Sequence, residues 1–154
     1  MSTTTQVSAP DLTQRPPRSV RVRLGGLSLL PRMLDKGRAE IAGTNGEYHF
    51  NCPLDQYILS YLGIEADLLK TELATGKGDG EMLEWIHANA SNKRAPWEIQ
   101  QWSDFQDRRG PTSDAETAAF FTNYVTKLTT IREDVMTWAD VLDLDDHVSF
   151  GGKA

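Results

Sequence analysis

The chain has 154 residues, of which 39% are hydrophobic, and this length is enough for one domain with its own core. Its net charge of −6 argues against general nucleic-acid binding, which depends on basic residues that neutralise phosphates. A single cysteine excludes an internal disulfide, and no apolar run approaches the roughly 18 residues of a membrane span. Because the N-terminus also lacks the apolar core of a signal peptide, we expect a cytoplasmic protein with no membrane partner.

The charges are unevenly distributed along the chain. Residues 1–40 carry seven Lys or Arg against three Asp or Glu, whereas residues 41–154 carry nine against nineteen. The basic N-terminal part therefore either pairs with the acidic remainder or meets an acidic ligand. We favour internal pairing, because a folded chain brings its own opposite charges together.

Before Ser28 the chain shows little helical periodicity. Residues 1–9 are rich in Ser and Thr and are expected to form a disordered tail, which leaves 10–154 as a single helical domain. Two short stretches, 20–24 and 47–51, alternate polar and apolar residues with a period of two. They predict a minor two-stranded β pairing within an otherwise helical protein.

From Ser28 onward the hydrophobic residues recur with helical spacing, which predicts an all-α fold of six or seven short helices. Ser28 is the candidate N-cap of the first helix, over 29–42. Ser113 and Glu116 are expected to form a capping box at the start of the longest helix. Apolar stripes mark the other helices near residues 54–62, 68–73, 82–90, 96–105 and 138–142.

The first helix and the segment before it carry a candidate for binding chemistry. On a helical wheel Arg32 and Lys36 lie opposite the apolar face, and Arg38 lies at its border, where it can join arginines of the preceding segment. Guanidinium groups suit carboxylates and phosphates, so our first hypothesis is a small binding module for an acidic or phosphorylated small molecule or an acidic protein partner. The candidate ligand-binding residues are Arg18, Arg21, Arg23, Arg32, Asp35, Arg38 and Cys52.

Cys52 carries the alternative hypothesis, a small enzyme of unknown reaction. Its thiol lies at a predicted helix start, with His49, Asp35 and Asp55 as the polar groups expected near the same pocket. Apolar neighbours on both sides of Cys52 favour the opposite interpretation, in which the thiol is buried and inert. The sequence leaves both interpretations open.

Soft metal ligands are few in this chain: the histidines at 49, 87 and 147 and the single cysteine are all of them. A zinc site needs three or four ligands that converge, and only His49 and Cys52 are close in sequence. We therefore expect no metal and no cofactor.

A third hypothesis concerns association between copies of the chain. Trp97 and Trp102 lie on one predicted helix whose apolar residues are widely spread, so one of them is a candidate for a homo-oligomer surface. Packing in the core is the favoured interpretation, since large aromatic side chains dominate protein cores. The sequence leaves the oligomeric state open.

Three motifs give the chain a resemblance to a known family. They are DLTQRPPRS (11–19), RLGG (23–26) and PRMLDKGRA (31–39), and the similarity continues beyond NCPLDQ (51–56). On these motifs the chain resembles an uncharacterised family of short bacterial proteins classed as a domain of unknown function. The resemblance implies a small, mostly helical, cytosolic protein and brings no activity, cofactor or catalytic residue with it.

Overall fold

The computed structural model describes residues 6–154, and over these residues the protein is all-α. The predicted number of helices is confirmed, and the last helix, marked in the sequence by apolar residues at 138–142, runs from Trp138 to Ser149. Residues 1–5 of the expected disordered tail lie outside the described residues. Within 6–154, no helix combines the length and the apolar character needed to cross a bilayer. The helices are α1 (Leu30–Ala42), α2 (Pro53–Leu62), α3 (Ala66–Leu73), α4 (Asp79–Asn89), α5 (Pro96–Arg108), α6 (Ala115–Leu128) and α7 (Trp138–Ser149).

The helix α1 lies in the centre of the main hydrophobic core, and ten of its 13 residues are buried. Its apolar side faces the core as predicted, with Met33 and Leu34 fully buried. The prediction that Arg32 and Lys36 lie away from the buried side is wrong, because these residues are only 5% and 3% exposed. The N-terminal segment, α2 and α7 contribute carboxylates and other groups that cover the polar side of α1.

A smaller hydrophobic cluster joins α6 to α7. Phe121 is the buried residue of α6, and its ring meets the ring of Trp138 edge-on at a centroid distance of 5.0 Å. Val141 and Leu144 of α7 complete the cluster from the other side. The other apolar side chains of α6 are partly or largely exposed, and Phe120 reaches 63% exposure.

The expected β pairing is not formed: the described residues contain no β-strand, and an isolated bridge joins Leu24 to Leu27. The physical reason is local. A tight turn folds Leu24 back on Leu27, and residues 47–51 lie in a turn that leads into α2. Both stretches therefore use their alternating pattern in irregular structure.

Two predicted helix caps are wrong by one residue. Leu29, with a left-handed φ of 69° and no side-chain cap, precedes α1. Ser28 does not cap this helix: it is fully buried, and its hydroxyl oxygen has no hydrogen-bond partner among the described residues. At α6 the cap is Asp114, whose carboxylate accepts the N–H of Thr117 at 2.7 Å.

The two tryptophans of α5 lie in different environments. Trp102 is partly buried and stacks on Tyr61 with ring centroids 4.8 Å apart, so core packing is the correct interpretation for this residue. Trp97 is 62% exposed. The hypothesis of a homo-oligomer surface on α5 therefore stays a prediction that concerns Trp97.

Candidate functional site

The arginines of the N-terminal segment and of α1 are held by internal carboxylates. Arg18 donates from Nε and Nη2 to the two oxygens of Asp35 at 3.0 and 2.9 Å, and from Nη1 to Asp79 at 2.8 Å. Arg38 donates to the other oxygen of Asp79 at 2.7 Å. Burial tends to raise the pKa of Asp79, but the bonds from both arginines outweigh it and hold this pKa below its usual value. The cluster of two arginines and two aspartates is therefore neutral as a whole.

Arg21 and Arg23 attach the N-terminal segment to later helices. Arg21 donates to Asp143 of α7 at 3.0 Å. Arg23 uses one Nη atom to reach Asp104 and Asp107 of α5, each at 2.8 Å. These pairs join the basic N-terminal part to the acidic remainder, which confirms the prediction of internal charge pairing.

Arg32 forms a buried ion pair with Asp146 of α7, with nitrogen–oxygen distances of 2.7 and 3.1 Å. The hydroxyl of Tyr48 donates to the same carboxylate at 2.8 Å, and the guanidinium carbon lies 5.5 Å from the centroid of the tyrosine ring. Burial alone would lower the pKa of Arg32, but the bond to Asp146 outweighs it and the pKa is raised. Burial and then the bond to Asp146 raise the pKa of Tyr48, so the phenol stays protonated at neutral pH.

The thiol of Cys52 lies beside a buried lysine. Lys36 Nζ is 3.2 Å from Cys52 Sγ and donates to both oxygens of Asp55 at 2.9 and 3.0 Å. The side chains of Lys36 and Asp55 are 4% and 2% exposed, so the ion pair is sealed from water. Cys52 itself is half-buried, so the residue is not sealed inside the core.

The start of α2 positions this cluster. Cys52 is the N-cap residue, Pro53 occupies the first helical position, and Asp55 lies in the first turn, where a carboxylate complements the helix dipole. Asn51 has a left-handed φ of 61°, and its N–H donates to Asp55 at 2.9 Å. The backbone therefore fixes the carboxylate that in turn fixes the ammonium of Lys36.

Cys52, Lys36 and Arg32 line one cleft of about 600 Å³, a volume typical of small-molecule sites. We call it the Cys52 cleft. Its apolar lining comes from Leu12, Leu54, Leu142 and Phe150, and its polar lining includes Tyr48, His49, Asp145, Asp146 and Ser149. Over residues 6–154 no three His, Cys, Asp or Glu side chains converge as metal ligands would.

The seven predicted site residues do not form a single site. They separate into Arg18 with Asp35 and Arg38, Arg32 with Cys52, and Arg21 and Arg23 individually. Of the groups expected beside Cys52, His49 lines the same cleft and Asp55 lies behind Lys36, whereas Asp35 pairs with Arg18.

Sequence reasoning missed Lys36 and Tyr48 as residues of the cleft. Glu40 lies four residues after Lys36, at the spacing where oppositely charged side chains of one helix can pair. Glu40 instead accepts a hydrogen bond from Lys70 at 2.5 Å. The partner of Lys36 is Asp55, which is 19 residues away in the sequence. A local sequence pattern cannot predict an ion pair between residues so far apart.

Comparison with known proteins supports a family assignment. No curated protein matches the chain in sequence. The sequence model of one family, described as Domain of unknown function (DUF5069), matches residues 14–148. This match includes every helix apart from the last residue of α7, and it contains both Lys36 and Cys52. The chain therefore belongs to the family described as Domain of unknown function (DUF5069).

Proposed function

We propose that the protein is a small enzyme in which Cys52 acts as a nucleophile on a small molecule bound in the Cys52 cleft. The observation that carries this proposal is the distance of 3.2 Å between Lys36 Nζ and Cys52 Sγ. A positively charged donor beside a sulfur stabilises the thiolate, and the thiolate is the nucleophilic form of cysteine. Cys52 lines a cleft and is half-buried, so a ligand can reach it.

Lys36 is well held in the position of a donor. Its ammonium contacts both oxygens of Asp55. The Lys36 side chain is almost fully buried, so water does not compete with the Cys52 thiol for the ammonium. The negative charge of Asp55 offsets the positive charge of Lys36 at longer distances. Lys36 therefore stabilises negative charge on the sulfur mainly through the close contact between the two groups. Such a fixed donor needs little reorganisation when negative charge develops on the sulfur.

The cleft supplies the other requirements of covalent catalysis at an electrophilic carbon. In this reaction the thiolate forms a bond to the carbon, while the leaving group departs with its electron pair and takes a proton from His49 or water. Water then releases the bound group from the sulfur. Leu54 and Phe150 provide apolar surface for the body of the substrate, and Ser149 provides a hydroxyl for its polar groups.

Alkylation by iodoacetamide tests the proposal, because Cys52 is the sole cysteine and the mass of the intact protein reports its modification. At neutral pH we expect Cys52 to react about tenfold faster than the thiol of free cysteine. The double variant Lys36→Gln with Asp55→Asn removes both charges and keeps hydrogen-bonding groups of similar size. We expect it to react about tenfold more slowly than the unsubstituted protein.

An exposed ion pair provides the matched control. Lys77 lies 3.0 Å from Glu72, and both side chains are about a third exposed, at 32% and 28%. The variant Lys77→Gln with Glu72→Gln should leave the alkylation rate unchanged, and circular dichroism with thermal melting establishes that both double variants fold. Equal rates in the three proteins, or a rate no higher than that of free cysteine, would contradict the proposal.

Anion binding by the arginine-rich segment stays a second candidate function. The observation in its favour is a polar cavity of about 490 Å³ whose wall includes Arg15, Arg18 and Arg38 together with Asp35. Arg18 and Arg38 already share Asp79, so an acidic ligand would have to compete with internal carboxylates. This competition ranks the candidate below catalysis at Cys52.

A further inference from the structure

A second cavity lies at the opposite end of α2 from Cys52. It has a volume of about 590 Å³ and is bounded by the turn at Gly25–Gly26, by Leu62 and by the loop 90–95 between α4 and α5. Leu62 and Ile99 contribute to a largely apolar floor. We call it the Arg94 cavity, and it shares no lining residue with the Cys52 cleft.

The ionisable side chains on the wall of the Arg94 cavity are all basic. Arg23, His87, Lys93 and Arg94 line it, and no Asp or Glu of the described chain does. This composition is the reverse of the surrounding sequence, because residues 41–154 carry nineteen acidic residues against nine basic ones. Arg23 is neutralised by carboxylates of α5, so the positive potential in the cavity comes from Lys93 and Arg94.

Lys93 and Arg94 are positioned by carbonyl oxygens and not by acids. Lys93 Nζ donates to the carbonyl oxygen of His87 at 2.6 Å. Arg94 donates from Nε and Nη2 to the carbonyl oxygen of Tyr61 at 3.2 and 3.0 Å, and its guanidinium carbon lies 4.3 Å from the ring centroid of that tyrosine. In the part of the chain that the structure describes, neither side chain forms an ion pair. Both charges are therefore held in place and left without a carboxylate.

The glycine turn also lines the Arg94 cavity. Leu24 and Leu27 hydrogen-bond to each other across the turn at 3.1 and 3.0 Å, and the amides of Gly25 and Gly26 have no acceptor among the described residues. The two glycines have φ of 58° and 78°, and a Cβ on Gly25 would lie 2.6 Å from the side chain of Leu83. A residue with a side chain would be strained at either position, so the tight turn at this boundary of the cavity requires glycine.

We propose that the Arg94 cavity binds a small molecule in which an oxyanion, a carboxylate or a phosphate, is joined to an apolar body. The two cations recognise the oxyanion, because charge-assisted hydrogen bonds to oxyanions are short and strong. The apolar floor contacts the body of the ligand, as in most small-molecule sites. This site is separate from the Cys52 cleft and does not depend on the function proposed for that cleft.

Two fluorescent dyes with the same ring system test the site. Anilinonaphthalenesulfonate carries an anion, and phenylnaphthylamine carries none. We expect saturable binding of the anionic dye, with an affinity about tenfold higher than that of the neutral dye. Decanoate and decyl phosphate should displace the anionic dye, and decanol should not. A difference between decanoate and decyl phosphate would identify which oxyanion the site prefers.

Variants assign the binding to this cavity. The double variant Lys93→Gln with Arg94→Gln should lower the affinity for the anionic dye by about tenfold and the affinity for the neutral dye by less than about twofold. Gln100→Glu places a negative charge at an exposed position of the wall without removing a contact. It should act in the same direction, and it keeps the test decisive if the double variant is unstable. The control variant Lys127→Gln with Lys153→Gln changes the net charge by the same amount as the Lys93 and Arg94 double variant, but away from the cavity. It should leave the affinity for both dyes unchanged.

Four outcomes would overturn the proposal. The first is the absence of saturable binding of the anionic dye, and the second is equal affinity for the two dyes. The third is unchanged binding of the anionic dye by Gln100→Glu. Titration of the protein alkylated at Cys52 separates the two cavities, and loss of dye binding after alkylation would place the dye in the Cys52 cleft and also contradict the proposal.

Discussion

The helices α1 and α6 are nearly equal in length, and the protein uses them in opposite ways. Ten of the 13 residues of α1 are buried, whereas Phe121 is the buried residue among the 14 of α6. Composition does not explain the difference, because α6 carries several large apolar side chains and α1 carries charged ones. Position explains it, since the N-terminal segment, α2, α4 and α7 all place side chains against α1, whereas the buried side of α6 packs in the small cluster that it shares with α7.

A helix that is buried on every side needs an internal partner for each charge that it carries, because an unpaired buried charge is strongly destabilising. The four buried charges of α1 have such partners in four different parts of the chain. The pairs are Arg32 with Asp146, Asp35 with Arg18, Lys36 with Asp55, and Arg38 with Asp79. The polar side of α1 therefore holds distant segments of the chain together through ion pairs and also lines the Cys52 cleft. No such set of buried ion pairs is found on α6 in the described chain.

Removal of a buried partner of α1 should produce the largest effect. Asp55→Ala leaves the ammonium of Lys36 buried with Cys52 as its remaining partner. We expect the free energy of unfolding to fall by about 3–5 kcal/mol, as in other buried ion pairs that lose one member. Denaturation in urea, followed by circular dichroism, measures this loss.

Two further variants control for the loss of a carboxylate as such. Glu72→Ala breaks an exposed pair with Lys77 and should change the free energy of unfolding by less than about 1 kcal/mol. Lys36→Met with Asp55→Leu replaces the buried pair by apolar groups and should recover much of the stability that Asp55→Ala loses. Equal losses in Asp55→Ala and Glu72→Ala would mean that burial does not set the strength of the α1 pairs.

A smaller, pH-dependent effect is expected at Asp79, which pairs with Arg38 at the edge of α1. The folded-state pKa of Asp79 is lowered, so its stabilisation is present above the unfolded-state pKa, near 4, and is lost as the pH falls through the lower folded-state value. Asp79→Asn should therefore destabilise the protein by about 1 kcal/mol at neutral pH, and this difference should shrink below about pH 4. Thermal melting from neutral to acidic pH measures it, and a difference that is constant with pH would contradict the assignment.

Local sequence signals predicted the helices well because the relevant interactions are local. Pro53 and Pro96 occupy the first turns of α2 and α5, where the fixed φ of proline fits a helix start, and glycines follow α1 and α2 directly, as is common at helix ends. The buried polar side of α1 was not predictable in this way. Arg32 and Lys36 look like solvent-facing residues on a helical wheel, and only the distant segments that cover them reverse that interpretation.

The candidate site was predictable only in part: Cys52, His49 and Arg32 are candidates in the sequence, and all three line the cleft. Cys52 precedes a proline at a helix start, which is a signal in the sequence itself. Its activating contact comes from Lys36, which is 16 residues earlier in the chain. The Arg94 cavity was missed because its positive charge depends on Lys93 and Arg94 having no carboxylate partner. Whether a basic residue is paired can be seen only in the folded structure.

The smallest change in the free energy of unfolding is expected for substitutions on the outer face of α6. Such substitutions test whether this face is uncovered in solution. Phe120 is 63% exposed, so Phe120→Ser should change the free energy of unfolding by less than about 0.5 kcal/mol. Phe121→Ala, one residue further on and 7% exposed, should cost about 3 kcal/mol under the same urea denaturation. If Phe120→Ser proved as costly as Phe121→Ala, the outer face of α6 would be packed in solution. A dependence of that loss on protein concentration would then identify the covering surface as a second copy of the chain.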